Sequence, residues 1–267
     1  MESWLSYRFE PTESPDAFLV RGLLPFLQAH IWPVGGRRVF YIRYDDEQGE
    51  HLRIRLRGDD AVLENFFAEH MADRGRWSAL AYVPEQERFG GPDKLPWAEE
   101  HFHMSTRVAL ERLARPAHVY GDALYDAMNA YVIAAHTAGL KRAESVSWFG
   151  DLYRQWLPLF FPLENGKNGA GQVSREIVLS HFEKSLQKQG ADLRDSLNTL
   201  WQLLESQRIA FDRPEWLRWL RGNELILPEF GDDTLRVASS LLHLHANRLG
   251  VNNQDEVFIL YLLSNCL

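Results

Sequence analysis

The side chains best suited to chemistry in this chain are arginines spaced two residues apart. His51-Leu52-Arg53-Ile54-Arg55-Leu56-Arg57 alternates charged and apolar types. In a strand successive side chains leave opposite faces, so His51, Arg53, Arg55 and Arg57 share one face and Leu52, Ile54 and Leu56 the other. Guanidinium groups so close repel one another unless anions lie near, and their planar forks bind carboxylates bidentately. The face therefore reads either as the solvated side of a half-buried strand or as the wall of an anion-binding cleft. A second set, Pro84-Glu85-Gln86-Glu87-Arg88-Phe89-Gly90-Gly91, puts Glu85, Glu87 and Arg88 beside a glycine pair at the end of a predicted strand. Ligand sites are common on such loops, although a solvated turn has the same composition. The third set lies on a helix that Asp233 can cap and Gly250 can end. There His243 and His245 point about 200° apart, too far to share a metal ion, while His243 and Asn247 are i,i+4 neighbours. One histidine can serve a cleft with Asn247 beside it, or can be a satisfied structural residue.

Other chemistries find no support. His101-Phe102-His103 opens a predicted helix without HExxH spacing, which argues against a metal centre. No G-x-S-x-G elbow presents a nucleophilic serine. The segment Gly166-Lys167-Asn168-Gly169-Ala170-Gly171 lacks the ending of a phosphate-binding loop and is expected to be a mobile loop. The 29 basic residues against 37 acidic ones give a net charge of −8, which disfavours a broad nucleic-acid face. A single cysteine, Cys266, excludes an intramolecular disulfide, and Met1-Glu2-Ser3-Trp4 has no signal-peptide layout, so the chain is expected to be cytoplasmic. No run approaches the ~20 apolar residues of a membrane span. Aromatics at 12% read as a bulky core rather than a stacking surface.

The elements that must position these residues change character near residue 91. Up to there the pattern alternates: a strand at Trp4–Phe9, a helix through Phe18, Leu23 and Leu27 kinked at Pro25, and strands at Arg38–Tyr44 and His51–Arg57. A helix capped by Asp59 or Asp60 and a strand at Trp77–Val83 follow. That order predicts a ferredoxin-like βαββαβ sheet. Beyond it, helical periodicity predicts segments near 96–115, 121–138, 143–157, 173–189, 192–208, 214–221, 233–249 and 253–264. The fold class is α+β, with residues 1–91 forming the sheet and 92–267 the helices. No linker separates them, so one shared core is expected.

Read together, FYIRYDDEQGEHLRIRLRG (40–58), YVPEQERFGG (82–91) and LLHLHANRLG (241–250) resemble the C-terminal, glutamate-eliminating domain of class I lantibiotic dehydratases. That family also serves thiopeptide-type bacteriocin biosynthesis. Order and approximate spacing of the three motifs match over almost the whole chain. One departure falls after Ala98-Glu99-Glu100-His101-Phe102, where the family usually shows Asp-Ser and this chain has Ser105-Thr106. The large glutamylating domain of fused enzymes is missing, so a stand-alone form is expected. The resemblance implies a lyase acting on a ribosomal precursor peptide whose serines or threonines a partner subunit has glutamylated from glutamyl-tRNA. Loss of glutamate leaves dehydroalanine or dehydrobutyrine. It carries the elimination residues to Arg53, Arg55, Arg88 and His243. Glu85, Asn247, Arg248 and His245 then serve as supporting substrate-binding residues, with His245 the alternative base if the helix is rotated. No metal, nucleotide or organic cofactor is required, and direct tRNA or membrane binding is not expected. Two other functions fit the same residues. One is a thiopeptide pyridine synthase joining two dehydroalanines by formal cycloaddition. The other is a non-catalytic subunit that holds the precursor along an exposed sheet edge.

Overall fold

The computed structural model describes residues 4–58, 60–162, 175–207 and 213–267. Strands β1 (Trp4–Pro11), β2 (Arg38–Asp46), β3 (Gly49–Arg57) and β4 (Gly75–Ala79) form one antiparallel sheet of order β2-β3-β1-β4. Helical segments between β1 and β2 and between β3 and β4 complete the βαββαβ arrangement read from the sequence. These are α1 (Pro15–Phe18), a π-helical turn (Leu19–Leu23), α2 (Leu24–His30) and α3 (Asp60–Met71). Pro25 has no N–H to return to the preceding turn. The wider π-turn absorbs that mismatch and leaves Pro25 in the first turn of α2, where no donor is needed. These helices bury Phe18, Leu23, Phe26, Leu27 and Phe67 against Tyr7, Phe9, Leu52, Ile54 and Leu56 of the sheet.

β4 is shorter than its periodicity predicts. The Leu80 N–H still bonds Ser6 O at 2.8 Å, but beyond it the chain leaves the ladder and Tyr82 turns to meet Glu99. The turn after β4 then tightens into a 3-10 helix (Gln86–Phe89), which Gly90 and Gly91 end at φ +88° and +95°. Consecutive left-handed residues of this kind require glycine, and they swing the chain into α4 (Leu95–Leu113).

The remaining helices are α5 (Tyr120–Thr137), α6 (Arg142–Phe160), α7 (Arg175–Glu205), α8 (Pro214–Ile226), α9 (Thr234–Leu249) and α10 (Asn253–Cys266). α7 is one helix where the sequence predicts two, because it runs through Gly190. A Cβ on Gly190 would come within 3.0 Å of Leu186, and its carbonyl accepts from Cys266 Sγ at 3.8 Å, so close packing keeps a poor helix former inside the helix. α5 lies at the centre of the helical core, its Ala127, Ala130, Tyr131 and Ala134 buried with Phe149, Trp219 and Leu260. α4 and α9 pack over β2 on the sheet face opposite α1–α3, where Phe40 meets Phe89, Phe102, Leu241 and Leu244. Gly250 ends α9 in the left-handed region as expected, but the Asp233 carboxylate pairs with Arg236 rather than capping the helix. The side-chain cap assigned to Asp59 or Asp60 and the glycine-rich stretch 166–171 lie outside the described residues.

Candidate active site

Cross-strand register decides what lies beside the arginines. Arg53, Arg55 and Arg57 on β3 are flanked by Arg8, Ser6 and Trp4 on β1 and by Ile42, Phe40 and Arg38 on β2, all on the face turned towards α4 and α9. The arginines at the ends of this face have carboxylate partners. Arg57 donates to Glu99 at 3.1 Å, Arg38 binds Glu100 at 2.6 Å, and Arg8 binds Glu10 and Asp46 at 3.0 Å each. Arg53 and Arg55 have none among the described residues. Their guanidinium groups are held by rings instead: Arg53 lies 3.7 Å from the centroid of Tyr44, and Arg55 lies 4.8 Å from Tyr82 and 5.2 Å from Phe40. Stacking of this kind fixes the plane of a guanidinium and leaves its N–H edge free. Arg55 is only 6% exposed, and burial pulls its pKa down. A buried cation without a counter-charge is costly, so the arrangement calls for an anion.

Both arginines line a cavity of about 120 Å³, together with Phe40, Tyr44, Tyr82, Glu85, Arg88, Phe102 and Leu244. That is below the ~300 Å³ of a typical small-molecule pocket and suits a short acidic arm. Arg88 on the 3-10 helix and Glu85 just before it reach the cavity and pair with each other at 2.8 Å at the exposed rim. Tyr82 donates to Glu99 at 3.1 Å. Burial, and then the Glu99 charge, pushes its phenol well above the ordinary value and keeps it a hydrogen-bond donor. Burial also raises Glu99. A larger cavity of about 470 Å³ lies among α5, α7 and α8, lined by Tyr125, Asp195, Arg213 and Trp216 among others, with opposed charges and none of the motif residues.

The motif residues of α9 separate by depth. His245 is fully buried, stacked on Trp219 at 4.1 Å, with Ser105 Oγ 2.9 Å from its Nδ1. Burial, with Arg248 and His101 adding to it, drives its pKa far down. Arg248 is also fully buried. It donates to Ser105 Oγ at 3.1 Å and lies 5.3 Å from the Phe102 ring, one layer behind the cavity, and burial pulls it down to about 9. A serine at position 105 thus gives this buried cation a hydroxyl where an acidic residue would have given a carboxylate. Asn247 is committed to β2: its Oδ1 accepts from Arg43 N–H at 2.9 Å and its Nδ2 donates to Arg43 C=O at 3.0 Å.

His243 is the accessible histidine of the pair, its side chain 24% exposed. It lies next in sequence to cavity-lining Leu244 but is not itself in the lining. Its Nδ1 lies 2.7 Å from Glu256 Oε2 on α10, and the buried Glu256 also accepts from Tyr131 O–H. The sequence reading did not single out Tyr82, Tyr44, Glu99 or Glu256. Tyr82 sits inside a quoted motif, but only its placement under Arg55 marks it. Glu99 and Glu256 read in sequence as ordinary helical carboxylates, and nothing in their spacing reveals that they are buried.

The sequence profile described as "Lantibiotic biosynthesis dehydratase C-term" matches residues 4–267. The chain belongs to this family. Membership places the chain in the biosynthesis of ribosomally made, modified peptides. No curated protein matches it in sequence. Among solved structures it resembles the tRNA-dependent lantibiotic dehydratase MibB from Microbispora sp. 107891, with TM-score 0.63 and 20% identity over 98% of this chain. It spans 28% of MibB's length. TsrL gives TM-score 0.72 at 16% identity, covering 100% of this chain and 94% of that one. The pyridine synthase TbtD from thiomuracin biosynthesis gives 0.74 at 15% identity, covering 99% and 97%. At these identities the likeness is one of fold. No helix among the described residues is long and apolar enough to cross a membrane.

Proposed function

We propose that this member of the family eliminates glutamate from glutamylated serine or threonine of a precursor peptide, acting after a separate glutamylating subunit. The observation that carries the reading is the pair Arg53 and Arg55, aimed into one cavity with their N–H edges unused on a face where the other arginines are matched to carboxylates. In the reaction a base takes the α-proton of the esterified residue, the Cβ–O bond breaks, and the electron pair leaves with the glutamate carboxylate. Negative charge develops on the adjacent amide oxygen and on the leaving group. Fixed donors in a water-poor site stabilise both. Arg55 and Arg53 hold the leaving carboxylate and Arg88 closes the rim, while the Tyr82 ring, its one O–H proton given to Glu99, holds the Arg55 plane. His243 transfers the proton, because it is accessible while His245 and His101 are buried and held neutral.

A second reading, pyridine synthesis, is kept by the match in extent and fold with TbtD. The unpaired arginines weigh against it, since joining two dehydroalanines delivers no leaving carboxylate. Mass spectrometry of an O-glutamylseryl peptide incubated with the protein tests the choice. Glutamate loss is expected, with kcat/KM falling about 10²–10³-fold in Arg55→Ala. Arg55→Lys should restore little, because an ammonium lacks the bidentate fork. An unchanged mass with wild type, together with ring closure of a peptide carrying two dehydroalanines, would overturn elimination in favour of cycloaddition.

A further inference from the structure

The sheet has two edges, β2 and β4, and they are treated differently. β2 is sealed. Asn247 pairs with both backbone groups of Arg43, and His103 Nδ1 lies 3.1 Å from the N and 3.3 Å from the O of Val39. Side chains of α4 and α9 thereby occupy the positions another strand would need. β4 carries no such cover among the described residues. Its ladder to β1 fixes which groups face outward: Leu80 N bonds Ser6 O and Thr12 N bonds Arg74 O, so residues 74, 76, 78 and 80 bond towards β1. By the alternation of antiparallel pairs, Trp77 and Ala79 turn their N–H and C=O away from the sheet. Trp77 and Leu80 are 36% and 38% exposed, and Val83, further along, is 80% exposed. Folded proteins normally block an open, partly apolar edge, and this chain blocks its other one. The open edge also leads somewhere, because the chain continues from Leu80 into Tyr82, Val83, Pro84 and Glu85, which wall the arginine cavity.

We infer that the β4 edge takes an extended segment of the peptide substrate as an added strand and leads the neighbouring residue into the arginine cavity. The inference rests on the cavity being the reacting site. Main-chain hydrogen bonds from Trp77 and Ala79 supply affinity that is largely independent of peptide sequence, as a modifying subunit needs when it treats several positions of one chain. Eight residue steps separate Trp77 from Glu85, at most about 26 Å at ~3.3 Å per residue, so about eight extended peptide residues are enough to span it.

The test compares two synthetic substrates, O-glutamylserine amide alone and the same residue ending a strand of about ten alternating valines and threonines. With wild type the longer substrate should have a KM about tenfold lower, the worth of one or two main-chain hydrogen bonds. In Ala79→Pro, which removes an outward N–H and leaves the β1 ladder intact, the two KM values should converge. Hydrogen exchange gives a reading on wild type alone: the Trp77 and Ala79 amides should become protected when the longer peptide is added. Unchanged exchange at both amides, or an undiminished KM advantage in an Ala79→Pro protein that melts like wild type, would overturn strand addition. A dimer that sedimentation detects in wild type and not in Ala79→Pro would overturn it in favour of a second copy at this edge. If wild type turns over neither substrate, the elimination reading fails, and the exchange measurement still decides the edge.

Discussion

Arg53 and Arg55 show how a residue type becomes a site only through its neighbours. Rings fix their guanidinium planes where carboxylates fix those of Arg8, Arg38 and Arg57, and on the proposed mechanism this difference separates the binding arginines from the structural ones. The same distinction applies to the histidines of α9. Glu256 accepts from Tyr131 O–H and, on its other oxygen, from His243 Nδ1–H, which leaves His243 Nε2 with the free lone pair. On the proposed mechanism Glu256 is a positioning residue that fixes the ring and its tautomer. Glu256→Gln should lower kcat about 10–100-fold with little change in KM, and should shift the acidic limb of the pH–rate profile. A Glu256→Gln enzyme with an unaltered profile would remove Glu256 from the proton path. Arg248 stands apart from these, buried behind the cavity with a hydroxyl and a ring as its side-chain partners among the described residues.

At the scale of elements, the site depends on how α9 meets β2. The Asn247 side-chain amide mimics the backbone of an adjacent strand, and it holds Arg43, and with it Ile42 and Tyr44 of the cavity wall, in register. Asn247→Ala should cost about 1–3 kcal/mol, because it strands a donor and an acceptor at a partly buried edge. Asn247→Asp, though nearly isosteric, should be no better, since it sets a carboxylate oxygen against the Arg43 carbonyl. Chemical denaturation of the two variants checks the order, and a wild-type-like Asn247→Asp would show that the amide contact is not holding the edge. The family resemblance implies Asn247 as a substrate-binding residue, and its i,i+4 spacing sets it beside His243. The spacing is real, but the side chain is spent on the strand.

At the scale of the whole molecule, three histidines are folded in as neutral groups. Burial pulls His101 to about 3 and His103 to about 4, and pulls His245 far below its usual value. A group whose folded pKa lies below an unfolded value near 6.5 leaves the unfolded chain binding more protons in between, so stability rises with pH across that window. The contribution is complete above about pH 6.5 and is lost as pH falls towards 4 and below. At pH 5 His101 and His103 then each withdraw about 2 kcal/mol, a large share of the ~5–15 kcal/mol that holds a domain together. The melting temperature should therefore drop steeply between pH 7 and 5, and His103→Gln should flatten the drop. A melting temperature indifferent to pH in this range would mean that these rings protonate without unfolding the chain. His101 and His103 look like a matched pair in sequence, yet one meets Asn223 on α8 and the other meets the backbone of β2.

The α+β class, the βαββαβ order, the shared face of Arg53, Arg55 and Arg57, the glycine turn after Arg88 and the end of α9 at Gly250 are all legible in the linear chain. Each follows from local rules, namely strand alternation, helical period and the left-handed freedom of glycine, and a linear pattern records those directly. Folding alone sets which arginines are paired, makes His243 accessible while His245 is sealed against Trp219, and buries Glu99 and Glu256. It also leaves one sheet edge closed and the other open. These depend on what distant segments bring to the same place, as α4 does for Arg57 and α10 for His243, and the burial and charge compensation that set their chemistry exist only once those segments have met.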